Sequence, residues 1–241
     1  MSPKSPIAPA VERFSTELHH IDTVLQIAIR GVQATIAAPQ ALKALAEWSE
    51  AADEPEKAAE YTDLVPHAQT IAEFAQSESE MGYDTLHKDA VVALWSALEV
   101  MAHDITLARI SAQPTYLEGE PFAQIKLPLA EFHQLGDADR LELLLREMRR
   151  RSSPRAAGAT ALESLLSTVG MGGPVPEPMA RVLYELHQTR NLIVHRGGIV
   201  DTTFLKRCPW AELKKGDRLT VGHDKYIAFM DAAAAYFHEL L

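Results

Sequence analysis

Val182-Leu183-Tyr184-Glu185-Leu186-His187-Gln188-Thr189-Arg190-Asn191-Leu192-Ile193-Val194-His195-Arg196-Gly197-Gly198 reads as the end of one amphipathic helix. Val182, Leu183, Leu186 and Ile193 recur at helical spacing, and projection at about 100° per residue drops Arg190 inside the apolar stripe. A guanidinium taken out of water without a partner costs several kcal/mol, so Arg190 is expected to meet a carboxylate or to line a cleft that an anion enters. His195 projects elsewhere, about 140° further round a straight helix. The two side chains converge on one ligand if the helix frays at Gly197-Gly198 or a second subunit contributes. The same residues also have a structural reading: His195 sits well at a helix C-terminus, and either glycine can close the helix in the left-handed conformation.

Outward from this stretch the pattern is helical almost throughout. Phe14, Leu18, Ile21, Leu25, Ile29, Val32 and Ile36 step by fours and threes, which predicts a long helix with a coiled-coil-like seam, stopped near Pro39. Further helices are expected over residues 41–51 and 56–80, the second broken or kinked around Pro66, with Gly82 as punctuation. A long helix over 86–111 carries Val91, Leu94, Trp95, Leu98, Met101, Ala102 and Ile105 on one stripe and ends at Gln113-Pro114. Between 118 and 135 the pattern weakens to a loop with a short extended piece at 124–127. A helix resumes at Asp137, whose carboxylate suits a cap, and runs through Leu141, Leu144 and Leu145 into a group of arginines. Residues 152–158 and 170–178 read as loops around a short helix at 160–168. Residues 199–204 and 218–221 are expected to pair as a minor two-stranded ribbon before a closing helix over 225–241. The fold class is therefore all-α, with an N-terminal helical region at 1–80 that suits a helical hairpin or a dimerisation arm, and a helical domain at 81–241.

Composition narrows the function classes. The chain has 241 residues, 47% of them hydrophobic and 23% charged, enough to bury a core. No apolar run reaches the roughly 18 residues of a membrane span, and Met1-Ser2-Pro3-Lys4-Ser5-Pro6 lacks a secretory core, so a cytoplasmic protein is expected. Cys208 is the single cysteine, which excludes an internal disulfide and a cysteine-built zinc site and suits a packing position beside Pro209 and Trp210. A net charge of -10 argues against a general nucleic-acid coat, since such binding runs on cationic side chains. Arg146, Arg149, Arg150, Arg151 and Arg155 form the one cationic cluster, read either as a helix C-terminus satisfied by positive charge or as a phosphate-tracking edge.

Several of these segments together carry a resemblance. Arg190-Asn191-x-x-x-His195 ending a long helix, Gly197-Gly198-Ile199-Val200-Asp201 after it, Leu94-Trp95-Ser96-Ala97-Leu98-Glu99 on a second long helix, and Gly216-Asp217-Arg218-Leu219-Thr220-Val221 before a closing helix resemble the HEPN superfamily, the higher eukaryotes and prokaryotes nucleotide-binding domains, over residues 85–241. The resemblance implies a HEPN-like helical bundle, and for many members a metal-independent endoribonuclease that works as a homodimer with two motifs facing each other, in the toxin or phage-defence class. It implies catalytic roles for His195 as acid or base, Arg190 as the group that stabilises or orients phosphate, Asn191 as a positioning donor, and Glu99 as the partner of Arg190. The implied partners are RNA, a second copy of the chain, and an antitoxin or other regulatory protein; no cofactor and no metal is implied.

The residue types fit that chemistry. Metal-free cleavage of an RNA backbone needs a base for the 2′-hydroxyl, an acid for the leaving oxygen and a cation for the phosphorus centre; imidazole suits the first two and guanidinium the third. One chain supplies one motif histidine, so a two-fold pair completes the set. A noncatalytic interaction or nucleotide-sensing module is the alternative reading. Glu99 and His103, an i, i+4 pair, form a weak metal candidate, since two ligands lack a third. His19, His20 and Asp22 read as surface residues. The chain carries no P-loop, no Gly-x-Ser-x-Gly elbow and no His-Glu-x-x-His helix.

Overall fold

The computed structural model describes residues 5–120, 122–151 and 156–240, and the fold is all-α. The helices are α1 (Ala8–Ala51), α2 (Pro55–Glu80), α3 (Asp84–Ala112), α4 (Leu129–Gln134), α5 (Asp137–Arg151), α6 (Ala159–Leu166), α7 (Glu177–Arg196), α8 (Thr202–Arg207) and α9 (His223–Glu239). The chain forms two compact units, one of Ile21–Ala90 with Thr220–Tyr226, the other of Met1–His20, Val91–Leu219 and Ile227–Leu241.

In the smaller unit, α1 does not stop at Pro39. It runs through to Ala51 with Pro39 itself buried. A proline inside a helix removes one hydrogen bond and costs about 3 kcal/mol, yet Ala34, Ala37, Ala38, Ala41 and Ala44 around it have the highest helix propensity and the inner stripe of Ile21, Leu25, Ala46 and Ser49 is buried on both sides. Pro66 likewise lies within an unbroken α2. The turn into α3 uses two successive left-handed residues, Gly82 (φ +67°) and Tyr83 (φ +60°), whose N–H groups donate back to the Ser79 and Glu78 carbonyls at 2.9 Å each. The buried Glu78 carboxylate then accepts from the Thr85 amide at 2.9 Å and its hydroxyl at 3.0 Å, satisfying the start of α3. Asp84 and Lys88, both buried, form an ion pair one turn apart, and Asp84 also accepts from the Val221 amide at 2.7 Å.

In the larger unit the predicted α3 stripe is the core: Val91, Leu94, Trp95, Leu98, Met101, Ala102 and Ile105 are all buried, together with Leu145 and Met148 of α5, Leu162, Leu165 and Leu166 of α6, Leu183, Leu186 and Leu192 of α7 and Phe229, Ala233 and Phe237 of α9. By length and hydropathy α3 could cross a membrane, which the expectation of no such run missed; here its apolar stripe is spent on this core. Glu163 of α6 ties three segments together, accepting from the Tyr236 hydroxyl at 2.6 Å and the Gly173 amide at 2.8 Å. Cys208 is fully buried, in the packing position expected.

Three local expectations are corrected. Residues 124–127 form no strand; the segment holds 3-10 turns at Pro114–Glu118 and Phe122–Gln124 and then α4. Asp137 is the first helical residue of α5 rather than its cap, and its carboxylate pairs with Arg140 at 3.0 Å. The ribbon shrinks to a single antiparallel bridge between Ile199 and Arg218, because the Asp201 carboxylate caps the Phe204 amide at 2.8 Å and starts α8 where strand was expected.

Candidate functional site

Helix α7 builds the site. Pro176 precedes it and Pro178 stands in its first turn, where a missing N–H is not needed. At its other end Gly197 (φ +60°) donates to the Ile193 carbonyl at 3.0 Å and Gly198 to the Leu192 carbonyl at 3.1 Å, a glycine-closed terminus. The helix therefore stays wound through His195 and Arg196, and the glycines seal it instead of letting it fray. Within one chain Arg190 and His195 therefore do not converge: His195 lines a hollow whose lining does not include Arg190.

Arg190 is half-buried, as its place in the stripe implied. Its Nη1 donates to Asn191 Oδ1 at 3.2 Å, while its buried Nε has no partner among the described residues. Asn191 and the exposed His195, one turn apart, line one hollow of about 140 Å³ with Gln188, Arg196, Asp201 and Arg207. Arg196 Nε lies 3.5 Å from Asp201 Oδ2. Arg207 Nη1 donates to Gln188 Oε1 at 2.9 Å, and Gln188 Nε2, in a buried side chain, has no acceptor among the described residues. Arg207 also borders a larger open cleft of about 690 Å³, walled by Arg181, Tyr184 and Trp210; the Arg181 guanidinium lies 4.6 Å over the Trp210 ring, and Trp210 Nε1 donates to Glu185 at 2.7 Å.

His187, which sequence reasoning passed over, holds this face of α7 in place. Its ring stacks on Trp95 with centroids 4.3 Å apart and planes 9° from parallel. Burial, reinforced by the positive charges of Arg190 and Arg207, pushes its pKa down to about 4, so the ring is neutral near pH 7. Nδ1 accepts from the Gly158 amide at 2.9 Å, which places the ring proton on Nε2. Gly158 has φ +59° and ψ -142°, a region open only to glycine, and a Cβ there would lie 2.5 Å from the Tyr184 Cα. The signal for His187 was present: it stands one turn before Arg190, beside Leu183 and Leu186, facing the stripe that carries Trp95.

Glu99 is not brought to Arg190. α3 offers Trp95 to α7, and Glu99, a turn further on, lines a separate hollow of about 200 Å³ with Met148, Arg149, Leu162 and Leu165 of α5 and α6. Its electrostatic partner is Arg149, and the expected Glu99–Arg190 pairing is replaced by Arg190–Asn191. Nor does His103 pair with Glu99; its Nε2 lies 2.9 Å from Glu142. Among the described residues no three His, Cys, Asp or Glu side chains are grouped to hold a metal ion. In the arginine cluster, Arg149 faces Glu99 and Glu142, and Arg150 pairs with Glu147 at 2.9 Å; the Arg151 side chain and Arg155 lie outside the described residues. No known protein family, curated protein or solved structure matches this chain.

Proposed function

We propose that this chain is a metal-independent endoribonuclease of the HEPN type, acting as a homodimer in the toxin or phage-defence class within the cytoplasm. The observation that carries the reading is the shared hollow in which Asn191 and His195 stand with Arg196 and Arg207. An imidazole beside two guanidinia meets the needs of a phosphodiester: Arg196 and Arg207 bind nonbridging oxygens, Asn191 donates to the substrate or holds Arg190, and His195 moves a proton. The 2′-hydroxyl attacks phosphorus as one imidazole takes its proton, the bond to the 5′-oxygen breaks, and a second copy of His195 protonates the leaving oxygen. The products are a 2′,3′-cyclic phosphate and a 5′-hydroxyl. The neighbouring aromatic and arginine cleft, which shares Arg207, suits an unstacked base of the same strand. The acidic balance of the chain restricts the substrate to a structured RNA or one delivered by a partner such as an antitoxin-like regulator.

One observation favours a second reading, a noncatalytic interaction or nucleotide-sensing module: Arg190 spends a donor on Asn191 and its Nε is enclosed. An RNA cleavage assay in excess chelator separates them. Cleavage that leaves cyclic-phosphate ends and is lost in both His195→Ala and Arg190→Ala supports the nuclease. A folded parent that cuts no RNA supports the module, and chelator-sensitive cleavage refutes the metal-free mechanism.

A further inference from the structure

Helix α1 carries a second stripe beside its buried one. Val24, Ile27, Gly31, Ala34, Ala38, Ala41, Leu45 and Trp48 follow steps of three and four, the a and d positions of a heptad. Among the described residues the stripe is mostly uncovered: Val24 is 49% exposed, Ile27 65%, Leu45 42% and Trp48 66%, a Cβ placed on Gly31 meets no atom within 4 Å, and only Ala38 is partly covered. None of the eight is charged, in a chain where 23% of residues are.

The order of sizes along the stripe is symmetric. Two large side chains stand at each end and four small residues lie between. The members pair off at equal distances from residue 36: Val24 with Trp48, Ile27 with Leu45, Gly31 with Ala41 and Ala34 with Ala38. In every pair one member is an a position and the other a d position, which is the meeting that two antiparallel helices make. We infer that a second copy of this chain docks antiparallel along α1, about a two-fold axis level with residue 36. The small central residues let the helices approach closely, and each Trp48 covers the smaller Val24 of the other copy. Parallel pairing would set Trp48 on Trp48 and Val24 on Val24, with no large side chain opposite a small one. The strip is about 37 Å long, about seven helical turns along which the two copies stay in contact. This inference does not rest on the ribonuclease reading, and it can fail while RNA cleavage stands.

The test uses the full chain. Sedimentation velocity of the parent is expected to give a particle of twice 26.6 kDa. In the double variant Ile27→Cys/Leu45→Cys the two thiols lie about 27 Å apart along one helix, too far for an internal bridge, yet they face each other twice across the axis. Mild oxidation is expected to give a covalent dimer on nonreducing electrophoresis, while Ile27→Cys alone and Leu45→Cys alone do not cross-link. Ala34→Glu, exposed and helix-compatible in the single chain, is expected to raise the dimer Kd about a hundredfold by burying two unpaired carboxylates. The inference is overturned by a monomeric parent, whether inert or bound to lipid vesicles. It is also overturned by single variants that cross-link as well as the double, and by a dimer that neither cross-links nor responds to Ala34→Glu while helical circular dichroism is unchanged.

Discussion

Protonating His187 should loosen the larger unit, and the amount follows from its surroundings. The folded pKa of about 4 lies below the ordinary 6.5 of the unfolded chain, so between those values the unfolded state binds more protons. The stabilisation is complete above about pH 6.5 and is lost as pH falls toward 4. Two and a half pKa units correspond to about 3.4 kcal/mol in full, of which about 2 kcal/mol is lost between pH 7 and 5. Partial solvent access to the ring trims this to about 1–2 kcal/mol. The comparison to make is His187→Phe, which keeps a ring on Trp95 and cannot take a proton. At pH 7 the variant should be about 1–3 kcal/mol less stable, because the Gly158 amide loses its acceptor. Urea melts followed by near-ultraviolet circular dichroism from pH 7.5 to 4.5 should show this gap closing as pH falls. Parallel pH curves for parent and variant would refute the account of a buried, neutral imidazole.

Two further substitutions probe the packing. Gly158→Ala combines a conformation closed to other residues with a Cβ driven into the Tyr184 backbone; a loss of about 3–5 kcal/mol in urea is expected, and a loss below 1 kcal/mol would show that the loop re-forms elsewhere. Asp84→Ala should cost about 3–5 kcal/mol by stranding a buried Lys88 and the Val221 amide, while Asp84→Ala/Lys88→Met recovers more than half of that. Equal stability for the single and double variants in thermal melts would contradict the burial of that pair.

Where the fold was legible, one face of a helix carried the whole message. The α3 stripe from Val91 to Ile105 is buried as its spacing predicts, and Gly82 and Gly197 end helices where they stand. The misses share a cause: a local preference lost to a neighbour. Pro39 was outweighed by alanines and by a stripe continuing past it. The β-branched residues after Ile199 gave way to the Asp201 cap. At the site, Arg190 is half-buried and Asn191 and His195 open together, all from one helix where spacing sets geometry. Glu99 lies on a different helix, and spacing within one helix says nothing about which neighbour a side chain will meet. His187 was hidden because an imidazole in an apolar stripe looks unremarkable until its stacking partner is known. The outer stripe of α1 is faint in the sequence because its middle is glycine and alanine, which add little to a hydrophobic pattern.

Asp201 divides its labour between two oxygens: Oδ1 holds the Phe204 amide and so anchors α8, while Oδ2 restrains Arg196 across the hollow. The phosphate of the proposed function would compete for Arg196 with the second oxygen alone. The guanidinium can swing to a guest and return while α8 keeps its footing, so occupancy of the hollow leaves the scaffold behind it undisturbed.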